Sequence, residues 1–337
     1  MKKIFVFVLI AGVAFSLQAN EKAADLAVLR ESARQGNADA QYKLGVCYAN
    51  GDGVRKDNAK AVEWLRQSAK NGHAEAQFEL GMHYGAGSGV AKNWREAVKW
   101  LRKSAEQGHT KAQCMLGACY KLGDGVPQNN REAVEWFRKA AEQGNSDGQS
   151  ALAACYADGQ GVKQDYCEAF KWYLRSAKQG NSNAQYFLGV LYAEGRGTDR
   201  NFPEAVKWIR KSAAKGKSEA QLMLGYFYRL GRGLEQDESE AFKWAFKAAL
   251  QKNALAQFMV AECFLLGKGI KRDDIEGVKW LRKSAENGNS DAQCILGVCY
   301  AAGRGVELNK AEALKWLQLA AKNGNSRAVR ILQNINR

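Results

Sequence analysis

The chain repeats itself every 36 residues, and that period constrains its fold more than any other feature. Units begin at Asn37, His73, His109, Asn145, Asn181, Lys217, Asn253 and Asn289 and run without a gap to residue 324. In every unit position 5 is Gln, from Gln41 to Gln293, and position 28 is Trp, from Trp64 to Trp316. Positions 15 and 17 are Gly throughout. A fixed period of this length specifies stacked units, each leaning on its neighbours, in place of one closed core. It overrides the two or three separate domains that 337 residues would otherwise suggest.

Within a unit, positions 4, 8, 11 and 12 are apolar or small, as in Ala292, Leu296, Cys299 and Tyr300. That spacing marks one face of an α-helix over positions 2–14. Position 9 is Gly or Ala, which predicts the close approach of another backbone. Gly-x-Gly at positions 15 and 17 then ends the helix, because glycine takes the left-handed conformation without steric cost. A second helix opens at position 21, which is Asp or Asn in every unit. Position 24 is Glu in all units but the first, where it is Lys60. An acceptor followed three residues later by an acid has capping-box spacing. Basic residues such as Arg102, Lys103, Arg282 and Lys283 crowd the last turns, where they suit the helix dipole. Position 36, just past the helix, is Gly except at Lys252.

No strand pattern occurs, so the expected fold is all-α. Eight helix-turn-helix repeats cover 37–72, 73–108, 109–144, 145–180, 181–216, 217–252, 253–288 and 289–324. Residues 20–36 resemble the second half of a repeat and 325–337 the first half, so both read as capping helices. Residues 1–19 read as a signal peptide: Lys2 and Lys3, an apolar run over 4–15, then a small residue at Ala19. The apolar run is too short to span a bilayer comfortably. The expectation is a periplasmic or secreted, monomeric chain with no membrane span after cleavage, and the short leader suggests a bacterium. Without Lys2 and Lys3 the formal charge falls from +15 to +13. Such an excess favours solubility and could also favour an acidic partner.

The pattern A-Q-x-x-L-G-x-x-Y-x-x-G-x-G-V, followed by D/N-x-x-E-A-x-x-W-x-x-x-S/A-A-x-x-G, resembles the Sel-one-like repeat (SLR) family, a relative of the tetratricopeptide repeats. The resemblance covers 37–324 in full and the two half-repeats in part. It implies a right-handed α/α superhelical solenoid with the first helices lining a concave groove. It also implies a scaffold for a protein or peptide partner. Secreted, cysteine-rich relatives exist, and the leader fits that branch.

Eight cysteines are present, five of them (Cys47, Cys119, Cys155, Cys263 and Cys299) at position 11 on the apolar face. The simplest reading is a small apolar core residue. An exported chain could instead carry disulfides. Cys155 and Cys167 are the one pair lying across the turn of a single repeat. Relatives of the cysteine-rich branch pair cysteines once per repeat in this way, and this sequence lacks that regular spacing. With no CxxC and three histidines, no metal site is expected, and no cofactor. Ser212-Ala213-Ala214-Lys215 matches the S-x-x-K of serine β-lactamases, but no Lys-Thr-Gly or Ser-Asp-Asn accompanies it, and position 32 is Ser in several repeats. A β-lactam or cell-wall hydrolase and a glycan-binding surface protein stay as alternatives to the scaffold. Export and the lack of aromatics interleaved with basic residues argue against nucleic acid.

Residues that do not repeat should carry recognition. On the first helix, positions 3, 6, 10 and 13 lie off the core stripe. Early repeats place Tyr42, Phe78 and Met82 there, and later ones Leu222, Tyr226, Arg229, Phe258, Glu262 and Leu265. The repeats starting at Lys217 and Asn253 also break pattern at Lys252, Ala261, Phe264 and Gly277. A partner groove is therefore expected around Tyr226, Phe258 and Leu265. The expected chemistry is binding, with no catalytic residues.

Overall fold

A computed structural model describes residues 24–335, whose regular structure is entirely α-helical. The signal-peptide reading of residues 1–19 lies outside the described residues. A helix over 24–34 comes first, sixteen 13-residue helices follow in pairs from Ala38–Asn50 to Lys310–Lys322, and Ser326–Ile335 closes the chain. Two compact units divide it, Met1–Asp165 and Tyr166–Arg337.

Helix ends follow from the side chains at fixed positions. At position 1, Asn37 accepts from the Ala40 N–H at 2.9 Å, and His73 and His109 do the same through Nδ1 at 3.2 Å. Position 15 closes the helix in the left-handed region, as at Gly51 with φ 89°. The second helix starts with Asn93 accepting from the Glu96 N–H at 3.1 Å. The reciprocal half of the capping box does not form. The Asn93 N–H donates instead across the turn to the Tyr84 carbonyl at 2.8 Å, and Asn201 does so to Tyr192. Glu at position 24 therefore turns outward to Lys at 27: Glu204–Lys207 at 2.8 Å and Glu240–Lys243 at 2.7 Å. These pairs are exposed and contribute a few tenths of a kcal/mol each, roughly.

The His109 cap makes its repeat sensitive to acid. Nδ1 of His109 must be unprotonated to accept from Ala112, and burial depresses its pKa below 6.5. An imidazolium there would also face the positive end of the helix dipole. The depressed folded pKa means this contribution is complete above pH 6.5, the unfolded value. It disappears as pH falls through the folded pKa, because the unfolded chain takes up the proton first. His109→Asn, which restores the side chain used at Asn37, should lose less stability than wild type between neutral pH and pH ~5. The difference should be on the order of 1 kcal/mol, the worth of one cap. Parallel urea curves across that range would sink the assignment.

The core repeats with the chain. The position 29 side chain of the second helix shares a core cluster with position 8 of the following repeat, as with Leu65 and Leu80 or Leu101 and Leu116, all at most 1% exposed. Position 9 is glycine because of that side chain as much as the facing backbone. A Cβ on Gly117 would meet the Phe137 ring at 2.7 Å and the Ala133 carbonyl at 3.1 Å.

Polar bonds then tie repeat to repeat. The buried Gln at position 5 donates to the position 33 carbonyl of the preceding repeat, as in Gln113 to Ala105 at 3.1 Å and Gln257 to Ala249 at 3.3 Å. Arg at position 30 donates to the Tyr hydroxyl of the following repeat: Arg66 to Tyr84 at 3.0 Å and Arg210 to Tyr228 at 3.1 Å. The basic residue at position 31 lies over the Trp ring of its own helix, as Lys139 over Trp136 at 4.0 Å and Lys283 over Trp280 at 3.9 Å. The basic last turns thus bond tyrosines and cover indoles in addition to facing the helix dipole.

Candidate functional site

The position 6 side chains picked out by sequence join adjacent repeats. Tyr42 stacks on His73 at 4.7 Å, and Phe78 tilts against His109 at 4.9 Å. Each touches the N-cap of the following repeat, so these rings are engaged laterally. Met82 is half-buried. Leu222 and Leu265 correct the expected groove, because they are 7% and 6% exposed and belong to the core of the second unit. Tyr226 and Phe258 are half-buried against that core, and burial pushes the Tyr226 hydroxyl above its ordinary pKa. Arg229 and Glu262 pair across adjacent first helices at 2.9 Å. This pair satisfies its own charge and leaves little to offer a partner.

The pattern breaks in repeats 6 and 7 are compensated swaps. Gly277 stands where other repeats have Ala, and a Cβ there would meet Leu265 at 2.7 Å. The missing methyl is what lets Leu265 turn inward. Phe246 stands where the Arg of the Arg–Tyr bond would be, and Phe264 where its Tyr would be. Phe242 packs both, at 5.6 Å from Phe246 and 5.5 Å from Phe264. Repeats 4 and 5 make a similar exchange, with Leu174 in place of Arg and Phe170 against Tyr192 at 5.2 Å. Lys252 has no such partner change. It is the one non-glycine in the left-handed region among the described residues, with φ 64°.

The S-x-x-K residues do stacking work. Ser212 is fully buried, and its hydroxyl donates to the Ser182 carbonyl at 2.8 Å, as Ser104 donates to Ala74 at 2.7 Å. Lys215 donates to the Gly180 carbonyl at 2.5 Å. Neither side chain points a nucleophile or base at a cleft. Cysteines at position 11 fill the core: Cys119, Cys155, Cys263 and Cys299 are buried. Burial pushes the Cys119 and Cys263 thiols up to about 11 and the half-buried Cys114 thiol to about 12, so they stay protonated. Cys155 falls in the first compact unit and the exposed Cys167 in the second.

Open apolar surface gathers instead at the end of the chain. A pocket of about 330 Å³ is lined by Glu262, Leu265 and Leu266 from one first helix and by Ile295, Val298 and Ala302 from the next. Arg304 and Arg327 stand at its rim. Leu265 contributes only its small exposed edge, whereas Leu266 is 56% exposed. Arg304 is committed to both carboxylate oxygens of Asp274 at 3.1 Å and to the Leu265 carbonyl at 2.8 Å. With Arg272 it holds the Asp274 carboxyl well below the usual range. Arg327, on the closing helix, is exposed. Leu266 lies one residue past Leu265, outside the positions at which the sequence places the groove. Val298 stands at position 10, on the face the sequence singles out, whereas Ile295, at position 7 and off that face, required the structure.

Paired helices joined by a recurring set of inter-repeat bonds define an α/α repeat protein of the tetratricopeptide-like class. The Sel1 repeat pattern matches residues 38–73, 74–109, 110–145, 146–181, 182–217, 218–253, 254–289 and 290–325. Among solved structures, the chain is similar to c5321, a protective antigen of uropathogenic Escherichia coli strains displaying an SLR fold. That likeness has 37% identity and a TM-score of 0.80 over 92% of this chain and 67% of that one. It is also similar to a Sel1 repeat protein from Oxalobacter formigenes, at 32% identity and a TM-score of 0.69 over 92% of this chain and 89% of that one. No curated protein matches it. The chain belongs to the Sel1 repeat family. Proteins of this family are generally interaction scaffolds without catalysis.

Proposed function

We propose that this chain is an exported scaffold that holds a peptide or protein partner on the first-helix face of its last two repeats. The observation that carries the reading is the apolar pocket of Leu266, Ile295, Val298 and Ala302, opened by a leucine more than half exposed. An unpartnered apolar surface of this kind, edged by the exposed Arg327, suits a short amphipathic segment. Export rests on the basic, then apolar, then small-residue order of residues 1–19. A mature N-terminus at Asn20, read from protein in the periplasm or medium, is its test.

Val298→Asp places a charge in the pocket without touching the inter-repeat bonds. Bait carrying it should retain at least tenfold less partner from envelope extract than wild type does, on the order of the loss from one buried charge. Helicity should be unchanged. An identical set of retained proteins from both baits would end this reading.

A further inference from the structure

The Gly-x-Gly turns change chemistry along the chain. At position 16, between the glycines, the first unit has Asp52, Ser88, Asp124 and Gln160, and the second has Arg196, Arg232, Lys268 and Arg304. The residue beneath each is position 22 of the preceding repeat. Arg304 meets Asp274 there and is neutralised. Arg196 and Arg232 meet aromatic rings instead: the guanidinium of Arg196 lies 5.2 Å from the Tyr166 centroid and that of Arg232 lies 5.6 Å from Phe202. The Phe202 ring accepts nothing at its edge, so the Arg232 N–H groups stay available to take a carboxylate with two parallel bonds, whereas Arg196 also donates from Nη1 to the Tyr166 hydroxyl at 3.2 Å.

Arg200 completes the cluster. With Arg196, Arg232, Phe202, Ala193 and Glu194 it lines a pocket of about 480 Å³. One carboxylate serves three guanidiniums. Glu194 reaches Arg196 at 3.1 Å, Arg200 donates only to the Glu194 backbone carbonyl at 3.5 Å, and Arg232 has no ion pair among the described residues. We propose that this pocket binds an acidic peptide segment through Arg196, Arg200 and Arg232. Glu194 shows the chemistry the cluster accepts, since the chain's own carboxylate already occupies one of its places. Arg196 and Arg232 stand one repeat apart, about 10 Å by helix spacing, which one turn of a polyproline II segment covers with three residues of about 3.1 Å rise, bringing side chains i and i+3 to one face. Acidic side chains three positions apart would therefore meet them together. The excess positive charge of the chain raises the encounter rate. This edge is separate from the apolar pocket of the last repeats, so either assignment can fail alone.

The test uses the full chain and a fluorescein-labelled peptide, Glu-Gly-Ser-Glu-Gly-Ser-Glu, followed by anisotropy at low salt. Arg196→Gln and Arg232→Gln should each weaken binding about tenfold, the worth of one charge-assisted pair. Both side chains are exposed, so the helices should be unaffected. Lys56→Gln, in the separate basic cluster around Tyr48, should change affinity less than twofold, on the order of a screened long-range charge. Glu194→Gln should tighten binding by releasing Arg196, a gain that damage to the fold cannot produce. Equal losses from Lys56→Gln and Arg232→Gln would reduce the effect to overall charge and overturn the proposal. Failure of the wild type to bind the peptide would overturn it as well, and heparin binding in its place would assign the pocket to sulfated glycans.

Discussion

Gly269→Ala should destabilise the second unit by roughly 2–5 kcal/mol, whereas Gly288→Ala should cost about 1 kcal/mol. Both glycines are in the left-handed region, at φ 71° and φ 89°. An L-residue is strained at either, so dihedral angle alone would make them alike. Surroundings separate them. A Cβ on Gly288 meets nothing within 4 Å, whereas on Gly269 it would lie 2.0 Å from the Glu238 carbonyl oxygen and 2.4 Å from its carbon. Those atoms are the opening of the second helix of the preceding repeat, and backbone there cannot step aside without disturbing the cap at Asp237. The second glycine of Gly-x-Gly is thus the point where one repeat rests on the last. In a stacked array that contact is a nearest-neighbour term, so its loss should loosen the interface as well as the turn. Urea unfolding followed by circular dichroism checks both variants, and equal midpoints would show that the close approach is unimportant.

The stack was readable from the columns that do not vary, because a residue confined to the same inter-helix space in every repeat must be the same. Gln at 5, Gly at 17 and Trp at 28 are of that kind, and each turns out to serve packing or an inter-repeat bond. The recognition surface was harder to read because departures from a column have two causes. Leu265 with Gly277, and Phe246 with Phe264, depart together and compensate each other inside the fold. A single sequence shows both members of each pair, but not that they touch. Position 16 gave the opposite failure. Its change from Asp52 and Asp124 to Arg196 and Arg232 lies in a turn whose glycines explain the loop completely, and the residue between them drew no attention. Only the rings of Tyr166 and Phe202 beneath the guanidiniums show that the change builds a surface.

The buried glutamine column carries the second large effect. Gln113 is 3% exposed. Its amide donates to the Ala105 carbonyl at 3.1 Å, and its carbonyl accepts from Gln143 at 3.0 Å. One side chain thus joins the preceding repeat to both helices of its own. Gln113→Leu keeps the volume and removes both side-chain bonds, leaving the Ala105 carbonyl with its backbone bond from the Gly108 N–H at 3.0 Å. The cost should be roughly 1–3 kcal/mol, since each lost hydrogen bond is worth about 0.5–1.5 kcal/mol. The chain contains its own partial version of this experiment. Gln185 retains its bond to Ala177 at 3.2 Å, yet its buried Oε1 has no partner among the described residues. Lys215 occupies the position of Gln143, and its ammonium goes to the Gly180 carbonyl and not to Gln185. In the next repeat Gln251 reaches both equivalents, Gly216 at 2.9 Å and Gln221 at 2.8 Å. Lys215→Gln should therefore restore the missing bond and raise stability by about 1 kcal/mol. Loss in one variant and gain in the other, measured by urea midpoint, would show the column acting through its hydrogen bonds. If Gln113→Leu unfolds like wild type, packing alone holds the repeats together and the amides are incidental. The lysine that completed an enzyme-like motif in the sequence is, on this account, the residue that weakens its own repeat.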